Sequence, residues 1–251
     1  MSDHRVILGD CLDPVTGLAS LPDKSVDHVI CDPPYGEEAH TKQRRTKSGT
    51  EMAPIMDFAS LDFASREFAR IARRWVVVFC QVEQVHDWST RLRHHGLEYV
   101  RTAVWVKPDG QPQYTGDRPG MGYESLVIAH PPGRKRWNGG GRHGVWVENK
   151  IGPEDIDRTG HQTQKPLRLM ESLVRDFTDS GELICDPFAG SGTTGVACKR
   201  LGRRFLGWER EPKYHAIAEK RIAAAREQLG LFREKAPREK QAALSLPEEG
   251  A

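Results

Sequence analysis

The stretch Leu183-Ile184-Cys185-Asp186-Pro187-Phe188-Ala189-Gly190-Ser191-Gly192-Thr193-Thr194-Gly195 decides how this chain is read. Its apolar start predicts a strand, its glycines a tight turn that lets a ligand approach the backbone, and Thr194 to Leu201 a helix. A second apolar run, Phe205 to Gly207, leads to Glu209, an acid 19 residues after Gly190 that can accept hydrogen bonds from ribose hydroxyls. A glycine-rich turn alone is common as plain structure. With a strand before it, a helix after it and an acid beyond it, the unit points to a nucleoside-containing cofactor. A dinucleotide satisfies the same pattern, but a dinucleotide fold normally begins with this unit and adds its strands downstream. Here only one helical stretch, Pro212 to Gln228, and a charged tail follow.

The other strands lie upstream: Arg5 to Gly9, Asp27 to Cys31, Trp75 to Cys80, Arg101 to Val106 and Glu124 to Ala129. Several are continuous apolar runs, as expected of strands covered on both faces. Leu61 to Arg74, Glu83 to His95 and Pro166 to Thr178 carry helical spacing or composition, so strands and helices alternate. The expected fold is α/β, a doubly wound, seven-stranded, mostly parallel sheet. A length of 251 residues suits one domain, taken as residues 1–230, with 231–251 as a charged, disordered tail. Two stretches interrupt the alternation. Residues 37–54 carry Lys42, Arg44, Arg45 and Lys47 with almost no large apolar residue and read as a mobile basic loop. Residues 108–160 are rich in Gly, Pro, Arg and Trp, hold one clear strand and are too long for a connector. Both are places where binding is built.

Lys and Arg total 37 against 35 Asp and Glu, so a net charge of +2 gives no global pull toward a polyanion, and any nucleic-acid surface must come from local clusters. The five cysteines are odd in number, lack CxxC spacing and lie in or beside apolar runs; they read as free thiols of a reducing compartment, with no metal site. No apolar leader or membrane-length run is present, so the expected location is the cytoplasm.

A second chemical signal, Asp32-Pro33-Pro34-Tyr35, follows the strand ending at Cys31. Proline has no N–H and restrains the residue before it to extended geometry, so this segment presents a carboxylate and carbonyl acceptors without competing donors. Such acceptors suit an exocyclic amine of a nucleobase, whose lone pair is delocalised into the ring until its N–H groups are hydrogen-bonded. Tyr35 can stack on a base flipped out of a duplex. A Pro-Pro turn explains the two prolines and leaves the acid and the aromatic unexplained.

Together and in this order the two segments resemble the β class of S-adenosylmethionine-dependent DNA amino-methyltransferases, over most of the chain. The resemblance implies a Rossmann-like fold with circularly permuted motif order, the catalytic motif preceding the cofactor loop. It assigns catalysis to Asp32, Pro33, Pro34 and Tyr35. It places Asp186, Phe188, Gly190, Gly192 and Thr193 on the methionine side of the cofactor and Glu209 on the ribose. His161-Gln162-Thr163-Gln164-Lys165-Pro166 resembles the family's other cofactor segment, with Lys165 pairing with the methionine carboxylate and Thr163 capping the helix that follows. Gly9-Asp10-Cys11 resembles its adenine-binding turn, Asp10 accepting from the cofactor's amino group and the Cys11 N–H meeting a ring nitrogen. Residues 108–160 occupy the recognition-domain position but are short, which implies few base contacts or contacts shared across a homodimer.

The implied partner is double-stranded DNA. Phosphate contacts are expected from Lys42, Arg44, Arg45 and Lys47 and from Arg134, Lys135, Arg136 and Arg142, basic residues interleaved with glycine and Trp137. Asp at position 32 leans toward adenine N6 over cytosine N4. Cytosine C5 chemistry is disfavoured, because no cysteine follows a proline in the manner that reaction uses. An RNA or protein amino-methyltransferase, and a DNA-binding module that has lost catalysis, are the readings from other classes.

Overall fold

The computed structural model describes residues 3–34, 57–161 and 163–227. Tyr35, Lys42, Arg44, Arg45, Lys47 and the tail from residue 231 lie outside the described residues. In chain order the elements are β1 (His4–Leu8), β2 (His28–Cys31), α1 (Phe58–Ile71), β3 (Val76–Cys80), α2 (Val85–His94), β4 (Glu98–Val106), β5 (Tyr123–His130), β6 (Val145–Val147), α3 (Leu167–Phe177), β7 (Leu183–Asp186), α4 (Thr193–Arg200), β8 (Arg204–Glu209) and α5 (Pro212–Ala224).

One sheet runs through the molecule in the order β1-β8-β7-β2-β3-β5-β4-β6. β1, β8, β7, β2 and β3 are mutually parallel, β5 is antiparallel to both β3 and β4, and β6 is parallel to β4. Side chains alternate across each strand, so the sheet feeds two cores. On one face Ile30, Val77, Phe79, Leu126, Ile184 and Phe205 pack with Leu169, Leu173, Val196 and Ile222 from α3, α4 and α5. On the other, Val29, Val76, Val78, Val127 and Cys185 pack with Phe68, Ile71, Trp88 and Leu92 from α1 and α2. All five residues of β3 are buried, which is why that strand reads as an unbroken apolar run. Burial of each such side chain contributes about 1.5–3 kcal/mol relative to exposure.

The sheet has eight strands, not seven. β6 is only Val145-Trp146-Val147, three strand-forming residues too few to stand out in a Gly- and Arg-rich stretch. Its formation is tertiary: it pairs with β4, and Trp146 is buried with its Nε1 donating to Asp176 Oδ2 of α3 at 3.0 Å.

The connections set the position of the site. From β2 the chain crosses through α1 to β3 on one side; from β7 it crosses through α4 to β8 on the other. β2 and β7 are parallel neighbours whose crossovers lead to opposite sides, so the strand order reverses between them, and the crevice outside their carboxyl ends is where open α/β sheets bind ligands. Asp32 immediately follows β2 and Asp186 ends β7.

Candidate active site

The cofactor turn is built as its glycines require. After β7, Ala189 N–H donates to Trp208 O at 2.9 Å and Gly192 N–H to Ala189 O at 2.8 Å, which folds the chain back under the start of α4. Gly190 and Gly192 have φ of +54° and +79°, conformations that favour glycine. Gly192 also touches α5: a Cβ there would stand 2.9 Å from Ala218 Cα. Arg221 of α5 fastens the turn from behind, donating to Ser191 O at 2.6 Å and to Thr193 Oγ1 at 3.2 Å. Nothing in the sequence pattern marks Arg221 for this task.

Asp186 lies beneath the turn, 3% exposed, accepting from Phe188 N–H at 3.0 Å and from Thr194 Oγ1 at 2.6 Å. Burial is the dominant influence on its carboxyl; the two hydrogen bonds oppose it, the nearby Asp32 and Glu209 reinforce it, and the pKa is pushed up to about 7. Glu209 ends β8 two strands from Asp32, opposite Leu8 of β1, and its Oε1 accepts from Glu211 N–H at 2.8 Å. Gly9 N–H donates to Glu209 O at 3.0 Å, which brings the Gly9-Asp10-Cys11 turn beside the acid. Asp10 is exposed and accepts from Leu12 N–H at 2.9 Å, while the Cys11 side chain is buried.

His161 covers the turn from the other side. Its ring packs edge-on against Tyr214 with centroids 4.4 Å apart, and a Cβ at Gly190 would stand 3.4 Å from its Nε2. Burial, helped by the charge of Lys165, holds the imidazole below the ordinary histidine value, so it is neutral at pH 7. Thr163 does not cap α3, contrary to expectation: it is exposed, and the helix is entered through Pro166 without a side-chain cap. Asp32, His161, Lys165, Asp186, Phe188 and Thr193 line one cleft of about 380 Å³, its open mouth included.

The Asp32 carboxylate sits in a chain of alternating charges. Lys165 Nζ contacts Asp32 Oδ2 and lies 3.2 Å from Glu124 Oε2 at the head of β5. Lys107, just past β4, is 3.1 Å from Glu124 Oε1. Lys165 is 8% exposed and its Nζ lies 5.0 Å over the Phe79 ring. Burial alone would lower its pKa; Asp32 and Glu124 outweigh burial, and the ammonium titrates above the ordinary lysine value.

The arginine-rich segment after β5 is elsewhere. β5 is antiparallel to β3, with Cys80 opposite Ser125 and Val76 opposite Ala129, so its end lies at the amino end of β3, about 13 Å from the pole that carries Asp32. There Arg136 pairs with Asp179 at 2.9 Å, Arg142 with Asp176, and Lys135 with Glu98. Trp137 packs edge-on to Phe177 at 4.9 Å, and Trp75 Nε1 donates to Arg136 O at 2.6 Å. Arg134 belongs to the same exposed stretch. Arg134, Lys135, Arg136 and Arg142, expected to contact phosphate, thus stand at the pole opposite Asp32, and all but Arg134 are drawn into these ion pairs. The carboxylates at the end of α3 need counter-charges and Trp137 needs an apolar wall, and those demands fix the segment at the far pole.

All five cysteines are buried and unpaired in disulfides. Burial pushes Cys80 up to about 12 and the other four thiols up as well, so none offers a thiolate at neutral pH.

Residues 26–220 match the DNA methylase family of N6 and N4 amino-methyltransferases. The chain belongs to that family. It is 26% identical over 250 residues to the type II methyltransferase M.HinfI of Haemophilus influenzae, covering 87% of this chain and 68% of that protein. It is 27% identical over 233 residues to the type II methyltransferase M2.DpnII of Streptococcus pneumoniae, covering 84% and 87%. Among solved structures, the M1.HpyAVI–SAM complex matches with a TM-score of 0.68 at 25% identity, over 87% of this chain and 98% of that one. The cofactor of this methylase is S-adenosylmethionine, which supplies an electrophilic methyl group on a sulfonium. The residues present fit it in kind: a turn whose Gly190 and Gly192 take left-handed φ, and the buried Asp186 carboxylate at its base.

The raised Asp186 yields a measurable consequence. Its proton is held in the free protein up to about pH 7 and is lost from the unfolded chain near the ordinary value of 3.8, so its contribution to stability is complete below the unfolded value and fades as pH rises through about 7. A cationic ligand prefers the ionised form. S-adenosylmethionine affinity is therefore expected to rise with pH up to about 7 and then level off, with a proton released on binding at pH 6. Calorimetry in buffers of different ionisation enthalpy reads that proton directly, and Asp186→Asn should remove it. A proton count of zero at pH 6 in the wild type would refute the assignment.

Proposed function

We propose that this methylase transfers the methyl group to the N6 amine of an adenine flipped out of double-stranded DNA, at a defined sequence. The observation that carries the reading is the pair of Asp32 and Asp186 on either side of the point where the strand order reverses, the first in an extended Asp-Pro-Pro segment and the second under the glycine turn. The amine donates to Asp32 and to the carbonyls of the proline segment, its nitrogen becomes pyramidal, and Tyr35 stacks on the base. Positioning and electrostatics supply the catalysis. Asp10, Cys11 and Glu209 take the adenosine end of the cofactor, and His161, Thr163, Asp186, Phe188, Gly190, Gly192 and Thr193 the methionine end. Asp at position 32 is what favours adenine over cytosine.

The duplex lies across the carboxyl-end pole. The β4–β5 connection emerges there, closed at its base by Lys107 N–H donating to Gly122 O at 2.7 Å, and exposes Tyr114 (87%) and Arg118. Lys42, Arg44, Arg45 and Lys47, which follow the catalytic segment in the chain, supply further phosphate contacts. Free thiols suit the cytoplasm.

The test is product analysis. DNA from a methylation-free host expressing the protein, digested to nucleosides and examined by mass spectrometry, is expected to contain N6-methyladenine, and per-base modification sequencing to place it at one motif. N4-methylcytosine instead would move the target to cytosine. Absence of both from a protein that binds S-adenosylmethionine would support the non-catalytic alternative.

A further inference from the structure

Building on the amine-transfer reading, we propose that Lys165 is a positioning residue for Asp32 and is not the partner of the cofactor's carboxylate. Four elements converge to make the arrangement: Asp32 follows β2, Lys107 follows β4, Glu124 begins β5, and Lys165 precedes α3. Their charges alternate along Lys107–Glu124–Lys165–Asp32, with Lys107 to Glu124 at 3.1 Å, Glu124 to Lys165 at 3.2 Å, and Lys165 in hydrogen-bond contact with Asp32. The aromatic faces of Phe79 and Trp105 back the two ammonium groups at 5.0 and 5.3 Å.

Charge counting separates the two roles. Lys165 is already bracketed by two carboxylates in a buried setting, and a third from the cofactor would leave an excess of negative charge with little solvent to offset it. As a bridge, the ammonium holds Asp32 in one orientation and favours its ionised form, so the carboxylate is ready to accept from the amine. Glu124 keeps Lys165 in place, and Lys107 anchors Glu124. Among the described residues, the other titratable groups facing this set are Asp186 at the end of β7, His161 beside Lys165, and the buried thiols of Cys31 and Cys80.

Lys165→Met separates the alternatives when kcat is measured on methylatable DNA across pH at saturating S-adenosylmethionine, alongside cofactor affinity by calorimetry. A positioning role is expected to lower kcat by roughly 100-fold or more, to move the acid limb of the kcat profile to higher pH, and to leave cofactor affinity within about threefold of wild type, since the lost contact is to Asp32. A cofactor Kd weakened by about tenfold or more with kcat near normal would overturn the proposal and return Lys165 to the methionine carboxylate. Glu124→Gln is the second arm and decides the matter if Lys165→Met does not fold. It leaves Lys165 to Asp32 alone, so the acid limb is expected to move to lower pH; an unmoved or raised limb overturns the proposal. Wild-type DNA methylation, run alongside, tests the underlying reaction independently.

Discussion

Asp32→Ala is expected to abolish methyl transfer, with kcat falling by roughly 10³-fold or more, as for loss of a principal charge-stabilising group at a reacting centre. S-adenosylmethionine binding should change little, because the proposed reading sets Asp32 against the amine at the end of β2 and the cofactor against the glycine turn after β7. Removing the carboxylate leaves Lys165 with one charged partner fewer, so some loss of stability accompanies the loss of activity. Asp32→Asn controls for this: it keeps an acceptor oxygen near Lys165 and removes only the charge. Steady-state transfer of labelled methyl to DNA, with calorimetry for the cofactor, measures both effects. Near-normal turnover in Asp32→Ala would show that the amine is held elsewhere; near-normal turnover in Asp32→Asn alone would show that the acceptor oxygen suffices without the charge.

Gly192→Val should be the most damaging change in the cofactor half. The residue has φ +79°, which costs an L-residue about 1–2 kcal/mol. Its new Cβ would also stand 2.8 Å from Ala218 Cβ and 2.9 Å from Ala218 Cα, on the backbone of α5. Overpacking of that kind costs about 1–3 kcal/mol, because neither the turn nor the helix can yield independently. The sum, about 2–5 kcal/mol, corresponds to a fall in Tm of roughly 4–20 °C for a chain of this size, and cofactor binding should be lost with the turn. Gly190→Ala is the contrast: its Cβ meets only His161, at 3.4 Å, so the backbone penalty dominates and a smaller drop is expected. Equal melting temperatures for Gly192→Val and wild type would mean that α4 and α5 can separate without cost.

The α/β class, the order of strands and helices and the two chemical segments were all legible because each is a local signal. β3 is apolar throughout because both of its faces are covered, and Gly190 and Gly192 stand where the backbone must turn left-handed. That Asp32, Asp186 and Glu209 share one pole was legible for the same reason: strand-ending acids on parallel strands arrive at the same end of the sheet, and the chain marks where its strands end.

What the local signals could not reach was anything decided by a partner distant in the chain. β6 exists because β4 offers it an edge and Asp176 of α3 accepts from the buried Trp146 indole. Thr163 has the chemistry of a cap, yet α3 is entered through Pro166. The arginines after β5 look like a phosphate surface until the antiparallel run of β5 carries them to the opposite pole, where Asp176 and Asp179 claim them. Glu124, 92 residues after Asp32 in the sequence, is joined to it through Lys165, and Arg221 reaches the glycine turn from α5. Composition and spacing determine which chemistry the chain can carry; the direction of each strand and the pairing of buried charges determine which residues meet to carry it.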